Sequence, residues 1–565
     1  MEAKASPGAG AKKPHFVLLS SPGIGHLIPV LELGKRLVTH HNAAVTVFVV
    51  ASRSSQAETE LTTEAAAAAG GAPGSGNFFN VVRLPPPDLS NVLDPAAAMV
   101  TRLCVVMREL IPAIRAAVQS LAVRPTGLVV DLFGTECFVV AEELGIAKYV
   151  LGTSNAWFTA LTIQLPVLDG EVEGEYVDQK EPLEIPGCRS VRPDEVVDPM
   201  LDRKDQVYIE YRRMGVEFRK ADGILINTWE DLEPTTLAAL RNDDFFGRKV
   251  IQGDILAIGP LVRCPTRPSN PTSQDLFSWL DKQPNESVVY VCFGSGGNLS
   301  PEQQIELAHG LERSQQRFLW VVRRPTGVKD SAFFSSGKSE EDTKGIHHDL
   351  DSRYGLPVGF VERTRHVGLV VPEWSPQSEV LSHVAVGAFV CHGGWNSTLE
   401  SVRSGVAMMM WPLYSEQRMN ATLVAEELQL ASRTETMPWR GVVGRDEVEG
   451  MIREVMVGEK GKGVRERVKA AQRSGEKALK EGGSSYKALE MVDASAKSAD
   501  VNTHFLVQLQ QERMVALVTS GSSHNVINRN TARELLLAAP LFCLSPSRSQ
   551  MVMCYTAIDA TRTSS

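Results

Sequence analysis

A chain of 565 residues, 43% of them hydrophobic, has room for two or more packed domains. Its formal net charge of -9, without any basic run interleaved with aromatics, argues against a nucleic-acid binder. Eight cysteines lie scattered at 104, 137, 188, 264, 292, 391, 543 and 554 with no Cys-x-x-Cys pair, which indicates neither a zinc site nor a disulfide framework.

Most of these thiols are expected to be buried and free, in a reducing compartment. The first thirteen residues carry lysines but no apolar core behind them, unlike a secretory signal. No uncharged stretch approaches the length of a membrane span. A cytoplasmic protein without membrane or nucleic-acid partners is expected, acting as a monomer.

In chain order, Phe16-Val17-Leu18-Leu19 reads as a buried strand. Ser20 to His26 forms a turn, and Leu27 to Val38 a helix with Val30, Leu33 and Leu37 on one stripe. Val45 to Val50 is a second strand, which completes a βαβ unit and implies a parallel sheet. Leu128-Val129-Val130 is another strand and ends at Asp131; Gly223 to Ile226 and Ile255 to Pro260 follow. Residues 262–276, rich in Pro, Ser and Thr, read as a linker. The alternation then restarts with a strand at Val288 to Phe293, the turn Gly294-Ser295-Gly296-Gly297 and a helix from Gln303 to Leu311. Strands at Phe318 to Val322, Gly368 to Val371 and Ala388 to Cys391 continue it. Two successive α/β units with a cleft between them are expected. Three stretches, 56–78, 165–205 and 325–352, lack periodicity, and the last reads as a solvated loop.

Two residues near strand ends have the chemistry of a proton relay. His26 closes Ser-Pro-Gly-Ile-Gly-His, a turn that equally fits a phosphate loop with a chance histidine. A dinucleotide site is disfavoured: Ile28 stands where the third glycine would be, and no acidic residue closes the second strand. Asp131 is either a helix cap or a partner that orients a histidine, since strand carboxyl ends face ligands in open α/β sheets. Histidine titrates in the range a general base needs.

The most informative stretch runs from Trp374 to Gln417. It holds an exposed-type tryptophan, a His392-Gly393-Gly394-Trp395 turn after a strand, Asn396-Ser397-Thr398 as expected helix caps, the carboxylate Glu400 and a terminal Glu416-Gln417 pair. Glycines at a strand-to-helix turn let backbone N–H groups approach an anion, and acid and amide groups grip hydroxyls. This 44-residue stretch resembles the sugar-nucleotide box of plant family-one UDP-glycosyltransferases. Gly393 stands where that family usually has cysteine and Ala407 where it usually has proline; neither position carries chemistry there.

The resemblance covers roughly residues 14 to 495 and implies a GT-B fold, with two Rossmann-like domains whose parallel sheets face a cleft. It implies an acceptor domain over 14–261, the linker 262–276, a UDP-sugar domain over 277–497 and a C-terminal extension, 498–565, expected to be poorly ordered. It implies that Trp374 stacks on uracil and Glu400 binds ribose. His392, Asn396 and Ser397, with Gly394 and Ser295, would meet the diphosphate, and Gln377 joins the donor set. Trp395, Glu416 and Gln417 would face the sugar, Gln417 pointing to glucose. His26 and Asp131 match the family's catalytic dyad, and stretches 56–78 and 165–205 fall where it builds the acceptor pocket.

The implied activity is inverting transfer of glucose from UDP-glucose, without bound cofactor or metal, to a small phenol. Gly25-His26-Leu27-Ile28-Pro29 and Trp411-Pro412-Leu413-Tyr414 resemble the hydroquinone and monolignol glucosyltransferase branch. The alternatives are a non-catalytic UDP-sugar or small-molecule binding protein of the same fold, and a C-terminal protease-like module. Met514 to Asn525 resembles the active-site strand and turn of a retroelement aspartic protease, but Thr519 stands where the aspartate is needed, so no proteolysis is expected. Such a tail reads as a remnant of an inserted element or an error in the coding sequence.

Overall fold

The computed structural model describes residues 13–50, 55–70, 78–94, 96–242, 244, 246, 250–265, 271–324, 350–492, 494, 516–518 and 524–526. The chain falls into two compact units, Met1–Ala496 and Lys497–Ser565.

Within the first unit lie two parallel sheets. The first has seven strands, β1 (His15–Ser20), β2 (Ala44–Val50), β3 (Phe79–Leu84), β4 (Gly127–Asp131), β5 (Ala147–Gly152), β6 (Gly223–Ile226) and β7 (Asp254–Ala257), in the order β3-β2-β1-β4-β5-β6-β7. The second has six, β8 (Val288–Cys292), β9 (Arg317–Val322), β10 (Gly368–Pro372), β11 (Val386–Cys391), β12 (Ala407–Met410) and β13 (Ala431–Arg433), in the order β10-β9-β8-β11-β12-β13. Every pairing in both is parallel. The central strands are buried along their whole length: Phe16 to Leu19, Val288 to Val291 and Ala388 to Phe389 have no exposed surface. Continuous apolar runs of this kind are what strands covered by helices on both faces require. The two α/β units are thus those of the GT-B arrangement.

Both sheets reverse their strand order at one place. In the first, β1 lies between β2 and β4; in the second, β8 lies between β9 and β11. At such a switch point the two crossover helices leave toward opposite faces, so a crevice opens beyond the carboxyl ends of the strands. The turn after β1 and the end of β4 share the first crevice, and the turns after β8 and β11 share the second.

Several local expectations change. The helix expected from Leu27 starts at Ile24 and runs to His41, so His26 lies in its first turn. Part of the aperiodic stretch 56–78 is a helix, Ser55–Ala68. Alanine propensity forms it where no strong apolar stripe exists. The stretch 165–205 begins inside the helix Ala156–Glu171 and continues through three short 3₁₀ turns, ending at Asp198–Met200. The helix Pro271–Leu280 starts within the segment read as a linker. Residues 325–349 of the third aperiodic stretch lie outside the described residues.

Cys104, Cys137, Cys292 and Cys391 are buried and free, Cys188 is half-buried and Cys264 exposed; Cys543 and Cys554 lie outside the described residues. No helix among the described residues is long and apolar enough to cross a membrane. Of the second unit, β14 (Ala516–Val518) and β15 (His524–Val526) pair antiparallel. Thr519 and the rest of the extension, expected to be poorly ordered, lie outside the described residues.

Candidate active site

A cleft of about 730 Å³ opens between the two sheets and is lined by residues of both. Its first-domain wall carries His26. The turn before it bends at Gly23, whose φ of 116° favours glycine, and Gly23 caps the helix that starts at Ile24. Asp131 closes β4 with no exposed surface. One of its carboxylate oxygens, Oδ2, accepts the Ser21 backbone N–H at 2.9 Å and the Ser21 hydroxyl, and lies 3.4 Å from His26 Nδ1. The other accepts the Phe133 N–H at 3.2 Å and caps the 3₁₀ helix Leu132–Cys137. Asp131 is therefore a cap whose other oxygen lies beside His26, and His26 Nδ1 makes no hydrogen bond among the described residues. His26 also packs on the Phe133 ring at 5.1 Å.

Much of the first-domain wall is apolar and aromatic. Leu132, Phe133, Phe158, Tyr211 and Met214 line it, and the Phe158 and Tyr211 rings stack at 5.9 Å. Leu61 of the helix Ser55–Ala68 and Pro199 of the last 3₁₀ turn complete it, so both aperiodic stretches reach the cleft.

Most of the second-domain wall comes from the Trp374–Gln417 stretch, with Ser295 and Arg323 beside it. Trp374 is 63% exposed, an open aromatic face at the rim. Glu400 is buried, accepts Gln377 Nε2 at 2.6 Å and the Ser378 hydroxyl, and its carboxyl is pushed up by burial. Gln377 Nε2 also reaches Ser397 Oγ at 2.9 Å, so these three side chains form one polar cluster.

The helix after β11 spans Trp395–Ser404, and its cap is Gly394, without a side-chain cap bond. This corrects the expectation that Asn396, Ser397 and Thr398 cap it: they lie within its first turn, whose leading N–H groups no side chain caps, and Trp395, Asn396 and Ser397 line the cleft. His392 is buried, with its pKa lowered to about 4 by desolvation and the nearby Arg323 guanidinium. It is neutral at neutral pH, and its Nδ1 has no hydrogen-bond partner among the described residues. Gly394 leaves it room, since a Cβ there would stand 2.5 Å from His392 Nε2. Gly393 has φ of 82°, a conformation in which glycine is less strained than the cysteine usual in the resembled family.

Asn396 and Trp395 reach across the cleft. Asn396 Nδ2 donates to the Gly25 carbonyl at 2.6 Å. That carbonyl is available because Pro29, four residues on, has no N–H to give it. Trp395 is buried, and its Nε1–H donates to the Asn227 carbonyl at 2.8 Å. Its ring lines the cleft, but its N–H is engaged between the domains. Gln417 Oε1 accepts the Leu413 and Tyr414 N–H groups at 2.9 and 3.1 Å, which fixes the side chain. Glu416 takes the Ser415 hydroxyl at 2.7 Å and the Ser154 hydroxyl at 3.4 Å. Ser295 is exposed at the turn after β8, and its carbonyl accepts Arg323 Nη1 at 2.5 Å.

All thirteen anticipated site residues, His26 through Gln417, line this one cleft except Asp131, which lies directly behind His26. Sequence reasoning missed Ser378 and Arg323. Arg323 had a readable signal, a basic residue just past the end of β9. Among the described residues no group of three or more His, Cys, Asp or Glu could hold a metal ion.

The family model described as UDP-glucoronosyl and UDP-glucosyl transferase matches residues 255–443. The chain is 56% identical over 478 residues to "Anthocyanidin 3-O-glucosyltransferase 5" of Manihot esculenta, covering 84% of this chain and 93% of that protein. The crystal structure of TcCGT1 in complex with UDP superposes with a TM-score of 0.77 at 42% identity, covering 86% of this chain and 100% of that one. Phytolacca americana UGT2, complexed with UDP-2fluoro-glucose and pterostilbene, does so with 0.73 at 36% identity, covering 86% and 99%. None of these is described as a protease, and the protease resemblance of the tail gains no support from them. With its two facing parallel sheets and their shared cleft, the chain belongs to the UDP-glucosyl and UDP-glucuronosyl transferase family and is a UDP-sugar-dependent glycosyltransferase of the GT-B fold.

Proposed function

We propose that the protein is an inverting UDP-glucose-dependent O-glucosyltransferase whose acceptors are small organic molecules, phenols in particular, and whose products are β-glucosides. The observation that carries this is the pairing of the two switch points. His26 with Asp131 behind it stands at one, and the open helix end after Gly394 stands at the other, in the same cleft. A base that faces an anion-binding turn is the layout needed for an attack opposite a diphosphate leaving group.

In this reading Asp131 holds the Nδ1–H tautomer of His26, which leaves Nε2 to take the acceptor's proton. The two groups stand 3.4 Å apart, so a small turn of the imidazole brings Nδ1 within hydrogen-bond reach. The acceptor oxygen attacks the anomeric carbon as the bond to the diphosphate breaks, and the configuration inverts. The N–H groups of the helix Trp395–Ser404, neutral His392 and Arg323 meet the developing charge. Trp374 offers its face to the base, and Glu400, with Gln377 and Ser397 around it, binds the ribose. Glu416 and Gln417 hold the sugar hydroxyls.

The aromatic wall of Phe133, Phe158 and Tyr211 favours a flat acceptor. The names of two relatives, one an anthocyanidin glucosyltransferase and one bound to pterostilbene, point the same way. For the domains, we take 14–261 as the acceptor domain and 277–497 as the donor domain.

The test is UDP release from UDP-glucose with a panel of small phenols, with the anomeric configuration of the product read by NMR. Phenol-dependent release, a β-product and a loss of at least a hundredfold in His26→Ala are expected. Binding of UDP-glucose without release by the wild-type chain would leave a binding protein; an α-product would refute inversion.

A further inference from the structure

The pair Glu416-Gln417 sits between two residues that one side chain of the other domain engages, Ser415 by hydrogen bonding and Arg418 by an ion pair. Asp198 opens the 3₁₀ turn Asp198–Met200 of the first domain. Its Oδ2 accepts the Ser415 N–H at 2.6 Å, and its own N–H donates to the Ser415 carbonyl at 3.1 Å. Its Oδ1 lies 3.1 Å from Arg418 Nη2. Ser415 precedes the pair and Arg418 follows it.

Ser415 has a φ of 62° without being glycine. A non-glycine residue there is strained and persists where surrounding bonds over-determine it. The reciprocal pair of bonds from Asp198 is such a constraint, and the Ser415 hydroxyl then turns onto Glu416 Oε2. On the far side, the Arg418 guanidinium is held between Asp198 and the Trp439 ring, 4.9 Å away. The residues on either side of Asp198, Val197 and Pro199, line the acceptor side of the cleft.

We propose that Asp198 is a positioning residue for the donor sugar: it clasps Ser415 and Arg418 and so sets the placement of Glu416 and Gln417, from a turn that also touches the acceptor. This rests on the reading of Glu416 and Gln417 as the sugar-holding pair. The nucleotide half of the donor is bound elsewhere, around Trp374 and Glu400, and is independent of the clasp. Loss of Asp198 therefore weakens the grip on UDP-glucose and spares the grip on UDP, whereas a residue that merely supports the fold would weaken both together.

The experiment measures Kd for UDP and for UDP-glucose by calorimetry on the full chain, wild type and Asp198→Ala, together with KM for UDP-glucose and kcat. A rise of tenfold or more in the ratio of the UDP-glucose Kd to the UDP Kd, relative to wild type, is expected, with UDP itself changed less than twofold. An unchanged ratio, whether both affinities hold or both fall, overturns the proposal. If circular dichroism shows Asp198→Ala unfolded, Asp198→Asn and Arg418→Gln are read by the same ratio, with a threefold rise as the expected result and no rise as the refuting one. Wild-type turnover tests the proposed reaction separately: its absence would refute glucosyl transfer, while the binding ratio still decides the role of Asp198.

Discussion

The indole of Trp395 and the carbonyl of Asn227 join the two domains by a buried hydrogen bond of 2.8 Å, with the donor on the helix that opens the candidate anion site. Asn227 is held in turn, since its Oδ1 accepts the Leu261 N–H at 2.7 Å. Trp395→Phe keeps a six-membered ring and removes the donor, leaving a buried carbonyl unpaired at a cost of about 1–3 kcal/mol on top of the packing lost with the second ring. A lowered Tm and a raised KM for UDP-glucose are expected. An unchanged Tm would mean that the bond is not formed in solution.

Gly394→Ala tests the seat of His392. The backbone at Gly394 is extended, with φ of -62°, so an alanine there is not strained. Its Cβ would nonetheless press on His392 Nε2, 2.5 Å away, and displace the imidazole. UDP affinity is expected to fall at least fivefold with the fold retained, as read by calorimetry beside circular dichroism. Unchanged UDP binding would remove His392 from the diphosphate site.

Pro29→Ala tests the availability of the Gly25 carbonyl. Alanine brings back an N–H at the position that closes the helical bond to Gly25, in competition with Asn396 Nδ2. Stability should hold or rise, while kcat drops several-fold because the link between His26's turn and the donor helix weakens. Stopped-flow or steady-state kinetics with the best phenol of the panel would read it. Equal kcat would show that the link is dispensable.

Two buried groups give the protein opposite pH sensitivities. Glu233 accepts the Ala156 and Trp157 N–H groups at the start of the helix Ala156–Glu171, and burial raises its pKa from 4.5 to about 7. A raised carboxyl binds more protons folded than unfolded, so it costs stability as pH rises from about 4.5 to 7. His392, lowered from 6.5 to about 4, binds fewer protons folded, so it costs stability as pH falls from 6.5 to 4. Glu233→Gln, whose amide oxygen can still accept, should gain stability relative to wild type between pH 5 and 8, on the order of 2 kcal/mol. Melting curves across that range check it; a constant difference would contradict the raised pKa.

Phe16 to Leu19 and Ala388 to Cys391 were legible in the sequence because their apolar runs are continuous. Burial alone did not decide it: β5 and β12 are largely apolar and buried and were not anticipated, whereas the partly buried β10 was. β3 was not anticipated either: Asn80 and Arg83 are exposed, and the apolar run is broken. The helix Ser55–Ala68 was hidden for a related reason, since its alanines form a helix without a marked apolar stripe. In the site, the Trp374–Gln417 stretch was readable because its members are close in sequence. His26 and Asp131 could be named only as candidates until β1 and β4 paired and brought them together. Asp198 and Ser378 act through long-range contacts that no local pattern records, and the engagement of Trp395 with Asn227 spans 168 positions.

The separation of the walls has an evolutionary consequence. The cleft's first-domain wall is built from helices and turns outside the strands of the first sheet, the helix Ser55–Ala68 and the turns that end at Met200 among them, while its second-domain wall is drawn mainly from the stretch Trp374–Gln417. On the proposed reading, selection for a new acceptor can therefore reshape the first wall without disturbing the nucleotide's mooring. The bonds from Asp198 to Ser415 mark where that freedom ends: a lineage that remodels this turn inherits the task of keeping them.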